Sequence, residues 1–546
     1  MDSKRSASAD QLPTSLNHPV SPPLKKRRLV APEPAVQEEV EKAAETKQSS
    51  SAPSCFPSPF KLIKIRDLPP ELNKDCISLK DILGDPLISE CWQFNYMHDI
   101  DFILSAFDED VRHLVKLHIV HGFWKREDPS RLALQDAASR HANVTLHAAF
   151  MPEMFGTHHS KMMVLFRHDD TAQVVIHTAN MILRDWTNMT QAAWLSPRLP
   201  LLPPMSQQPG DANAEIGSGP RFKADLLRYL RSYDTRRPTC KALVDRLARY
   251  DFSEVRGALI ASVPGRHRVD GSAGLWGWPA MEKALRSIPV SSRPAEIAIQ
   301  ISSIATLGPT DTWLKGTFFR ALSGGRPRQE AGSGPPLQSQ PTFKVVFPTA
   351  DEIRRSLDGY VSGGSIHTKI ASPQQAKQLT YLRPMLCHWA NDAGTSEGEG
   401  NYDDEARNAG RRRAAPHIKT YIRFSGSSDA APRQPTDIDW ALVTSANLSK
   451  QAWGEATTAS GEVRVASYEV GVLVWPKLYK EEAVMRATFR TDSLPEPADG
   501  DKKEAVVALR MPYSLPLRPY GKAEVPWVAT MNHLEPDWMG QVWKVE

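Results

Sequence analysis

The 546-residue sequence has few cysteines, no long apolar run and only a small net charge. Its five cysteines are odd in number and form no CxxC pair, which argues against a disulfide scaffold or a thiolate zinc cluster and is typical of a reducing compartment. They are Cys55, Cys76, Cys91, Cys240 and Cys387. No stretch of about 18 apolar residues is present, so no membrane span is predicted, and the N-terminus lacks the apolar region of a secretory signal. A net charge of +4 does not by itself indicate nucleic-acid binding, which would need a local basic patch.

Length and composition predict two or three folded domains behind an N-terminal tail. Hydrophobic residues make up 41% of the chain and charged residues 24%, which is enough for sizeable cores. Residues 1–57 are rich in Ser, Pro, Ala, Glu and Lys and almost free of aromatic side chains, so they are predicted to be disordered. Their basic cluster, Lys25-Lys26-Arg27-Arg28, is interpreted as a nuclear localisation signal, so the predicted location is nuclear. A solvated charge run or a basic arm that contacts DNA is the alternative.

Three further segments have the composition of surface loops. Residues 203–220 are rich in Pro, Gln, Gly and Ser, 323–340 in Gly, Pro and Arg, and 391–413 run from acidic to basic. Between them, β-branched runs such as those at 164–166 and 174–176 alternate with helical patterns such as the one at 223–231. That alternation predicts an α/β architecture.

The chain carries a degenerate internal repeat that begins with His-x-Lys. His159 and Lys161 form the first copy, and His417 and Lys419 form the second. If each copy lies in a strand, residues i and i+2 project to the same face, so each histidine and its lysine point together. Each copy is followed by an apolar strand pattern that ends in Ala-Asn, and a tryptophan follows the asparagine at the same spacing. These residues are Asn180 and Trp186 in the first copy and Asn447 and Trp453 in the second.

A third His-x-Lys occurs at His367-Thr368-Lys369. It lies in a stretch rich in Ser, Gly and Gln and lacks the downstream strand, asparagine and tryptophan. We therefore interpret His367 as a surface histidine outside the repeat.

Two matched sets of His, Lys and Asn suit the cleavage of a phosphodiester without a metal ion. Two lysines and two asparagine amides can hold the phosphate oxygens as negative charge develops on them. One neutral imidazole can attack phosphorus and form a phosphohistidine, and the other can protonate the leaving oxygen and then activate water. The unperturbed histidine pKa, about 6.5, allows both roles near neutral pH. No carboxylate or Cys/His cluster lies near the motifs, so no metal or other cofactor is expected.

The repeat resembles the phospholipase D superfamily, in which two His-Lys motifs meet at a pseudo-twofold interface. It departs from the commonest form, which has an aspartate five residues after each lysine, because Phe166 and Phe424 occupy those positions. Loss of both acids with asparagine downstream resembles the tyrosyl-DNA phosphodiesterase branch of type I, and a fungal member is expected. The supporting motifs are Phe155-Gly156-Thr157-His158-His159, Pro416-His417-Ile418-Lys419-Thr420-Tyr421, Ser445-Ala446-Asn447-Leu448-Ser449-Lys450 and Ser467-Tyr468-Glu469-Val470-Gly471-Val472-Leu473.

The resemblance implies a role for each matching position. His159 would be the nucleophile, and His417 the general acid and then the general base. Lys161, Lys419, Asn180 and Asn447 would hold the phosphate oxygens. Glu469 and Gln191 would fix the two imidazoles across the interface, Glu469 serving His159 and Gln191 serving His417, each by accepting a ring N–H. DNA would contact Ser302, Ser303, Thr306, Ser449 and Lys450, Phe155 would stack on a base, and Tyr96 would lie on the peptide side of the site.

The implied fold is two similar phospholipase D-like domains, each a mixed β-sheet flanked by helices, related by a pseudo-twofold axis and covering residues 60–264 and 265–546. The implied substrate is the bond between a DNA 3′-phosphate and a tyrosine of stalled topoisomerase I, and a monomer without membrane contact is expected. Another phospholipase D-type nuclease or phospholipase, a catalytically idle DNA-end binding protein and a metal-dependent nuclease are the alternatives.

Overall fold

The computed structural model describes residues 55–206, 210–271, 274–327, 340–370, 372–391, 405–425, 437–494 and 504–545. In chain order the strands are β1 (Cys55–Phe56), β2 (Phe60–Leu62), β3 (Ile88–Phe94), β4 (Lys116–His121), β5 (Val144–Ala148), β6 (Met162–Arg167), β7 (Thr171–His177), β8 (Ala192–Leu195), β9 (Leu199–Pro200), β10 (Ala258–Ser262), β11 (Gly265–Arg268), β12 (Pro289–Val290), β13 (Ala295–Gln300), β14 (Arg326–Pro327), β15 (Thr342–Val346), β16 (Leu386–Cys387), β17 (Thr420–Ser425), β18 (Asp437–Thr444), β19 (Glu462–Val465), β20 (Glu469–Val474), β21 (Val484–Thr488) and β22 (Val506–Arg510). The helices are α1 (Leu79–Leu83), α2 (Ile100–Ala106), α3 (Pro129–Ser139), α4 (Gly219–Arg231), α5 (Lys241–Leu247), α6 (Trp278–Leu285), α7 (Arg320–Leu322), α8 (Ala350–Arg354), α9 (Tyr360–Gly363), α10 (Pro373–Leu382) and α11 (Lys450–Trp453). Short 3-10 helices and a π-helical turn (Leu314–Phe319) complete the described elements.

Two mixed sheets dominate the fold, and one repeats the other strand for strand. The first sheet has the order β2-β8-β7-β6-β3-β4-β5, with β9 beside β7. The second sheet contains the series β10-β20-β18-β17-β13-β15-β16 in the same order. The pairing directions also agree, because only the last three strands of each series pair in parallel. The internal repeat seen in the motifs is therefore a repeat of the whole sheet.

The central strands are apolar on both faces because both faces are covered. In β6, Met162, Val164 and Phe166 enter the core shared by the two sheets, whereas Met163 and Leu165 enter a second core under the first sheet's helices. β17 and β18 divide in the same way between the shared core and a core of the second half. Strands that are buried on both faces read as nearly continuous hydrophobic runs, as these do in the sequence.

The predicted strand, helix and loop ranges can be compared with the observed ones. The strand-like runs at 164–166 and 174–176 lie in β6 and β7, and the helical pattern at 223–231 lies in α4. The His-x-Lys motifs themselves precede β6 and β17 as extended segments, because the ladders begin only at Met162 and Thr420. Of the predicted loops, residues 207–209, 328–339 and 392–404 lie outside the described residues, and α4 begins inside the first loop at Gly219.

The predicted tail and domain ranges differ from the sheets by a few residues. Residues 1–54, with the basic cluster, lie outside the described residues, but Cys55–Phe56 pairs with Val506–Val507, so the described fold begins inside the predicted tail. β10 falls within the range predicted for the first domain, 60–264, yet it pairs with β20 in the second sheet. The second copy of the repeated sheet therefore begins at Ala258, and the division into domains stays a prediction.

Candidate active site

The topology brings the two His-x-Lys motifs to one place, because each precedes the equivalent strand of its sheet. The backbone N–H of His159 donates to Tyr468 O at 3.0 Å, and the backbone N–H of His417 donates to Thr190 O at 3.1 Å. Each motif is thus hydrogen-bonded to the other half of the repeat. The predicted meeting of the two motifs is present in the structure.

A buried carboxylate holds the first histidine. His159 Nδ1 lies 3.0 Å from Oε2 of Glu469, which is 4% exposed and begins β20. Ser445 donates its hydroxyl to the same carboxylate oxygen at 2.5 Å. Burial favours a higher pKa for Glu469, but His159, Ser445 and Lys161 together hold that pKa below its usual value. With Nδ1–H given to Glu469, the Nε2 atom of His159 keeps its lone pair free, as a nucleophile requires.

An amide holds the second histidine at the equivalent place, immediately before β8. Gln191 Nε2 lies 3.0 Å from His417 Nδ1, and Gln191 Oε1 lies farther away, at 3.4 Å. Thr178 donates its hydroxyl to Gln191 Oε1 at 2.7 Å, as Ser445 does to Glu469 in the other half. The expected contact forms, but the atom nearest to the ring is the amide nitrogen, a donor, and not the accepting oxygen that was predicted.

Both lysines are fully buried beside their histidines. Lys161 Nζ donates to the carbonyl of His159 at 3.2 Å, and Lys419 Nζ donates to the carbonyl of His417. Among the described residues, neither ammonium has a carboxylate within 4.0 Å. Burial lowers the pKa of Lys161 to about 8, and burial together with Lys161 lowers the pKa of Lys419. Two buried ammonium groups that lack a direct carboxylate contact form a site suited to a phosphate group.

The two asparagines follow β7 and β18 and are fixed through different atoms. Asn447 Oδ1 accepts the backbone N–H groups of Ser302 and Ser303 at 3.0 and 2.9 Å, which leaves its Nδ2 to donate. The backbone of Asn180 is held instead: its carbonyl accepts Trp186 Nε1 at 2.9 Å. The repeated tryptophan therefore supports the asparagine directly in the first half, whereas Trp453 donates to the Tyr421 hydroxyl.

Both candidate catalytic histidines have a lowered pKa, which favours the neutral form of the imidazole. Burial lowers the pKa of His159, although Glu469 opposes the shift. Burial, Lys419 and Lys161 lower the pKa of His417 well below its usual value. A neutral His159 is ready to attack phosphorus, whereas His417 needs an additional negative charge if it is to carry a proton.

The predicted substrate contacts divide into exposed and structural residues. Phe155 is 75% exposed, and the ring of Tyr96 lies 5.9 Å from that of His159, so both are open to a ligand. Lys450 Nζ lies over the Trp313 ring at 6.0 Å. Thr306 is exposed and accepts a hydrogen bond from Gln375.

The serines have structural partners. Ser302 is 1% exposed, and its hydroxyl lies 3.3 Å from Asn447 Oδ1, so it supports the asparagine. Ser303 is partly exposed, and its backbone N–H is also bound to Asn447. The Ser449 hydroxyl caps α11 by accepting Ala452 N–H at 3.0 Å.

The third His-x-Lys lies at the edge of the site. His367 and Lys369 are exposed, as predicted for a surface histidine, but the backbone of His367 pairs with Ser303. The N–H of His367 donates to Ser302 O at 2.9 Å. The fold places this motif next to the residues that hold Asn447. The sequence did not reveal this position, because the motif lacks the downstream residues of the repeat.

Sequence reasoning missed one buried carboxylate, Asp185. It is 0% exposed and its Oδ2 lies 3.2 Å from His417 Nδ1. The sequence feature that could have pointed to Asp185 is its position directly before the repeated Trp186. Ala452 occupies the matching position in the second half.

Within the described residues, no group of three or more His, Cys, Asp or Glu side chains is placed to hold a metal ion. No helix in the described part of the chain combines the length and apolarity needed to span a membrane. The described residues bring two imidazoles, two buried ammonium groups and two asparagines to adjoining segments of the two halves. Such a set can bind a phosphodiester, attack it and protonate its leaving group.

Comparisons with known proteins agree with this chemistry. A family model described as tyrosyl-DNA phosphodiesterase matches residues 59–521. The probable tyrosyl-DNA phosphodiesterase of Schizosaccharomyces pombe is 32% identical over 559 residues, which cover 89% of this chain and 95% of that protein. Tyrosyl-DNA phosphodiesterase 1 of Drosophila melanogaster is 30% identical over 84% of this chain and 71% of its own length.

The fold also matches a solved structure. The crystal structure of the yeast tyrosyl-DNA phosphodiesterase superposes with a TM-score of 0.59 at 22% identity, covering 86% of this chain and 98% of the yeast chain. The predicted fold class, an α/β fold with two similar mixed β-sheets flanked by helices, is confirmed.

Proposed function

The chain belongs to the tyrosyl-DNA phosphodiesterase family and is a phosphodiesterase, and from this premise we propose that it hydrolyses the bond between a DNA 3′-phosphate and a tyrosine left by stalled topoisomerase I. The reaction would pass through a covalent phosphohistidine and use no metal ion. The observation that carries the proposal is that a buried side chain from the opposite half lies against Nδ1 of each histidine, Glu469 against His159 and Gln191 against His417.

The first step uses the two Nε2 atoms, since the supporting side chains contact Nδ1. His159 Nε2 attacks phosphorus in line while Lys161, Lys419 and the two asparagine amides take the charge of the phosphate oxygens. The P–O bond to tyrosine breaks, and His417 Nε2–H passes its proton to the departing oxygen. The tyrosine hydroxyl, with a pKa of about 10, is a better leaving group than a sugar hydroxyl.

The second step returns the enzyme to its starting state. His417 Nε2 takes a proton from water, the water oxygen bonds to phosphorus, and the P–N bond to His159 breaks. The electron pair of that bond returns to His159 Nε2, and the product is a DNA 3′-phosphate. The buried position of both lysines supports a phosphate that stays bound through both steps.

Exposed groups beside the site support a DNA strand as the substrate. Phe155 can stack on an unpaired base without regard to sequence, and Lys450 can contact a phosphate. Tyr96, close to His159, is proposed to contact the peptide that carries the tyrosine. We further propose that the enzyme acts in the nucleus as a monomer, with the basic cluster at 25–28 as the localisation signal.

The test is cleavage of a 3′-phosphotyrosyl oligonucleotide in excess EDTA by wild type, His159→Ala and His417→Ala. We expect tyrosine release by wild type, none by His159→Ala, and a slow reaction with a trapped protein–DNA adduct in the His417 variant. A requirement for a divalent cation, or cleavage that survives His159→Ala, would reject the proposal. Binding of the oligonucleotide without turnover by wild type would indicate a DNA-end binding protein instead.

A further inference from the structure

Asp185 is placed to act on the second histidine from the opposite half of the repeat. It lies in the 3-10 helix Leu183–Trp186 after β7, and its side chain is fully buried. Its Oδ2 is 3.2 Å from His417 Nδ1 and also accepts the backbone N–H of Asn180 at 2.7 Å. Ser365 Oγ lies 3.4 Å from the other carboxylate oxygen. The carboxylate is therefore fixed between a phosphate-binding asparagine and the proton-transferring imidazole.

The surroundings of His417 make a negative charge necessary. Lys419, Lys161, His159 and His367 face it from their own segments, and each favours the neutral imidazole. Gln191 carries no charge, and Glu469 is committed to His159. A group that must donate a proton to a departing oxygen cannot hold that proton among two ammonium groups unless a carboxylate compensates.

The distances around Nδ1 and the chemistry of its neighbours lead to the same residue. Gln191 turns its amide nitrogen toward Nδ1 because Thr178 occupies its oxygen, and Lys419 Nζ, at 3.3 Å, is also a donor. Neither donor can accept a proton from Nδ1. At 3.2 Å, Asp185 Oδ2 is nearer to Nδ1 than the oxygen of Gln191 at 3.4 Å, and it carries the charge.

We propose that Asp185 is the positioning residue that holds the proton of His417 for protonation of the leaving group. This inference rests on the proposed function. As the P–O bond breaks, His417 Nε2–H goes to the tyrosine oxygen, and the proton shared between Asp185 and Nδ1 stays on Nδ1. When water is activated, Nε2 gains the proton from water and the Nδ1–H remains bonded to the Asp185 carboxylate.

The electrostatics of the buried pair agree with a shared proton. Burial raises the pKa of Asp185, opposed by the Asn180 N–H and by Lys419, while burial lowers the pKa of His417. Both directions make the fully charged pair less stable than in water, which favours a proton that lies between the two groups over full charge separation. Ala452 occupies the position that matches Asp185 in the second half, and the carboxylate beside His159 is Glu469 instead.

The experiment compares two leaving groups on the same oligonucleotide. A tyrosyl 3′-phosphodiester needs protonation of its phenol, whereas a p-nitrophenyl ester releases a much more stable anion and needs little. For Asp185→Asn, which retains an oxygen for the Asn180 N–H, we expect single-turnover release of tyrosine to fall about 100-fold and release of p-nitrophenol by less than about 3-fold, since general acid catalysis is worth roughly 100-fold or more.

Asp439→Asn is the matched control, because Asp439 is 1% exposed and paired with Arg423 at 3.0 Å, away from the two histidines. Its effect should not depend on the leaving group. Equal losses on both esters in Asp185→Asn would show that the carboxylate only holds Asn180, and no loss on either would also overturn the inference. Failure of wild type to cleave either ester in EDTA would instead reject the proposed function.

Discussion

His159 Nδ1 lies 3.0 Å from Glu469 Oε2, and these two residues come from opposite halves of a duplicated sheet. The contact fixes both the tautomer and the direction of the imidazole, because a ring that donates Nδ1–H to a buried oxygen keeps its Nε2 lone pair outward. One half thus supplies the proposed nucleophile and the other half orients it. Separation of the halves would leave each histidine without its partner, so we expect neither half to be active alone.

Substitution of Glu469 by glutamine tests the orienting charge. Glu469→Gln retains the size of the side chain but removes the charge that supports His159, so we expect the rate of phosphohistidine formation to fall about 10–100-fold, the range seen for groups that orient a catalytic histidine. Rapid-quench assays with a 3′-phosphotyrosyl oligonucleotide measure this rate. Glu352→Gln is the control, since Glu352 is 4% exposed, accepts the backbone N–H groups of Thr349 and Ala390, and lies beside His388 rather than beside either candidate catalytic histidine. A wild-type rate for Glu469→Gln would contradict the assignment.

The pH dependence of kcat/KM should show a descending limb set by Lys161. Burial lowers the pKa of this ammonium to about 8, so above about pH 8 the free enzyme loses the charge that attracts the phosphate. We expect kcat/KM to fall as pH rises through about 8, well below the ordinary lysine value of about 10.4. A profile that is flat to pH 10 would contradict this expectation.

The acidic limb should report His159. Its pKa is lowered, so the neutral, nucleophilic form persists below the ordinary histidine value of about 6.5. Activity should therefore remain high at pH 6.5 and decline only at lower pH, where His159 becomes protonated and loses its lone pair. Measurement of kcat/KM from pH 4.5 to 7 checks this. If kcat/KM were half-maximal at a pH above 6.5, the pKa of His159 would not be lowered.

The internal repeat allowed the central residues of this site to be predicted from sequence, because the same repeated segment contains both the polar site residues and the apolar strands. His159, Lys161 and Asn180 are spaced around two adjacent strands, and the same spacing recurs in the second half, from which a shared site was predicted. The nearly continuous apolar runs of β6 and β7 were equally visible, since both sheet faces are buried.

Other features depend on contacts between distant segments, which sequence spacing does not reveal. Asp185 looked like one acid among many in the sequence, and only folding of the helix after β7 brings it to His417. Gln191 was assigned correctly as a neighbour of His417, but the Thr178 hydroxyl decides which end of its amide faces the ring. His367 required the pairing with Ser303 to reach the edge of the site.

A glycine three residues before the nucleophile should be intolerant of any side chain. A Cβ on Gly156 would lie 1.9 Å from the carbonyl oxygen of Ala466 in the other half, so the segment that carries His159 would have to move. Displacement of catalytic groups by about 1 Å can cost roughly 100-fold, so we expect Gly156→Ala to lose at least about tenfold in kcat. Gly316→Ala, where no atom lies within 4 Å of the added carbon, should retain activity; equal activity of both variants would contradict this account.

Phe155 should contribute to binding of DNA and little to the chemical step. Its ring is 75% exposed beside the site, and stacking on one base is worth about 1–3 kcal/mol. We expect Phe155→Ala to raise KM about tenfold for a single-stranded oligonucleotide with little change in kcat. Met154→Ala, at a neighbour that is 85% exposed, is the control. An unchanged KM for Phe155→Ala would remove this residue from the binding surface.

Lys161 should reduce the stability of the free protein while serving the reaction. A lysine pKa lowered from 10.5 to about 8 in the fold means that the unfolded chain binds the proton more tightly, at a cost of about 3 kcal/mol below pH 8. This cost shrinks as pH rises from about 8 to 10.5, so stability should increase over that window. Lys161→Met should therefore raise the Tm at pH 7, flatten that pH dependence and lose activity, as measured by thermal unfolding and cleavage assays. A lower Tm for Lys161→Met would show that the ammonium is stabilised by contacts stronger than its single hydrogen bond to His159 O.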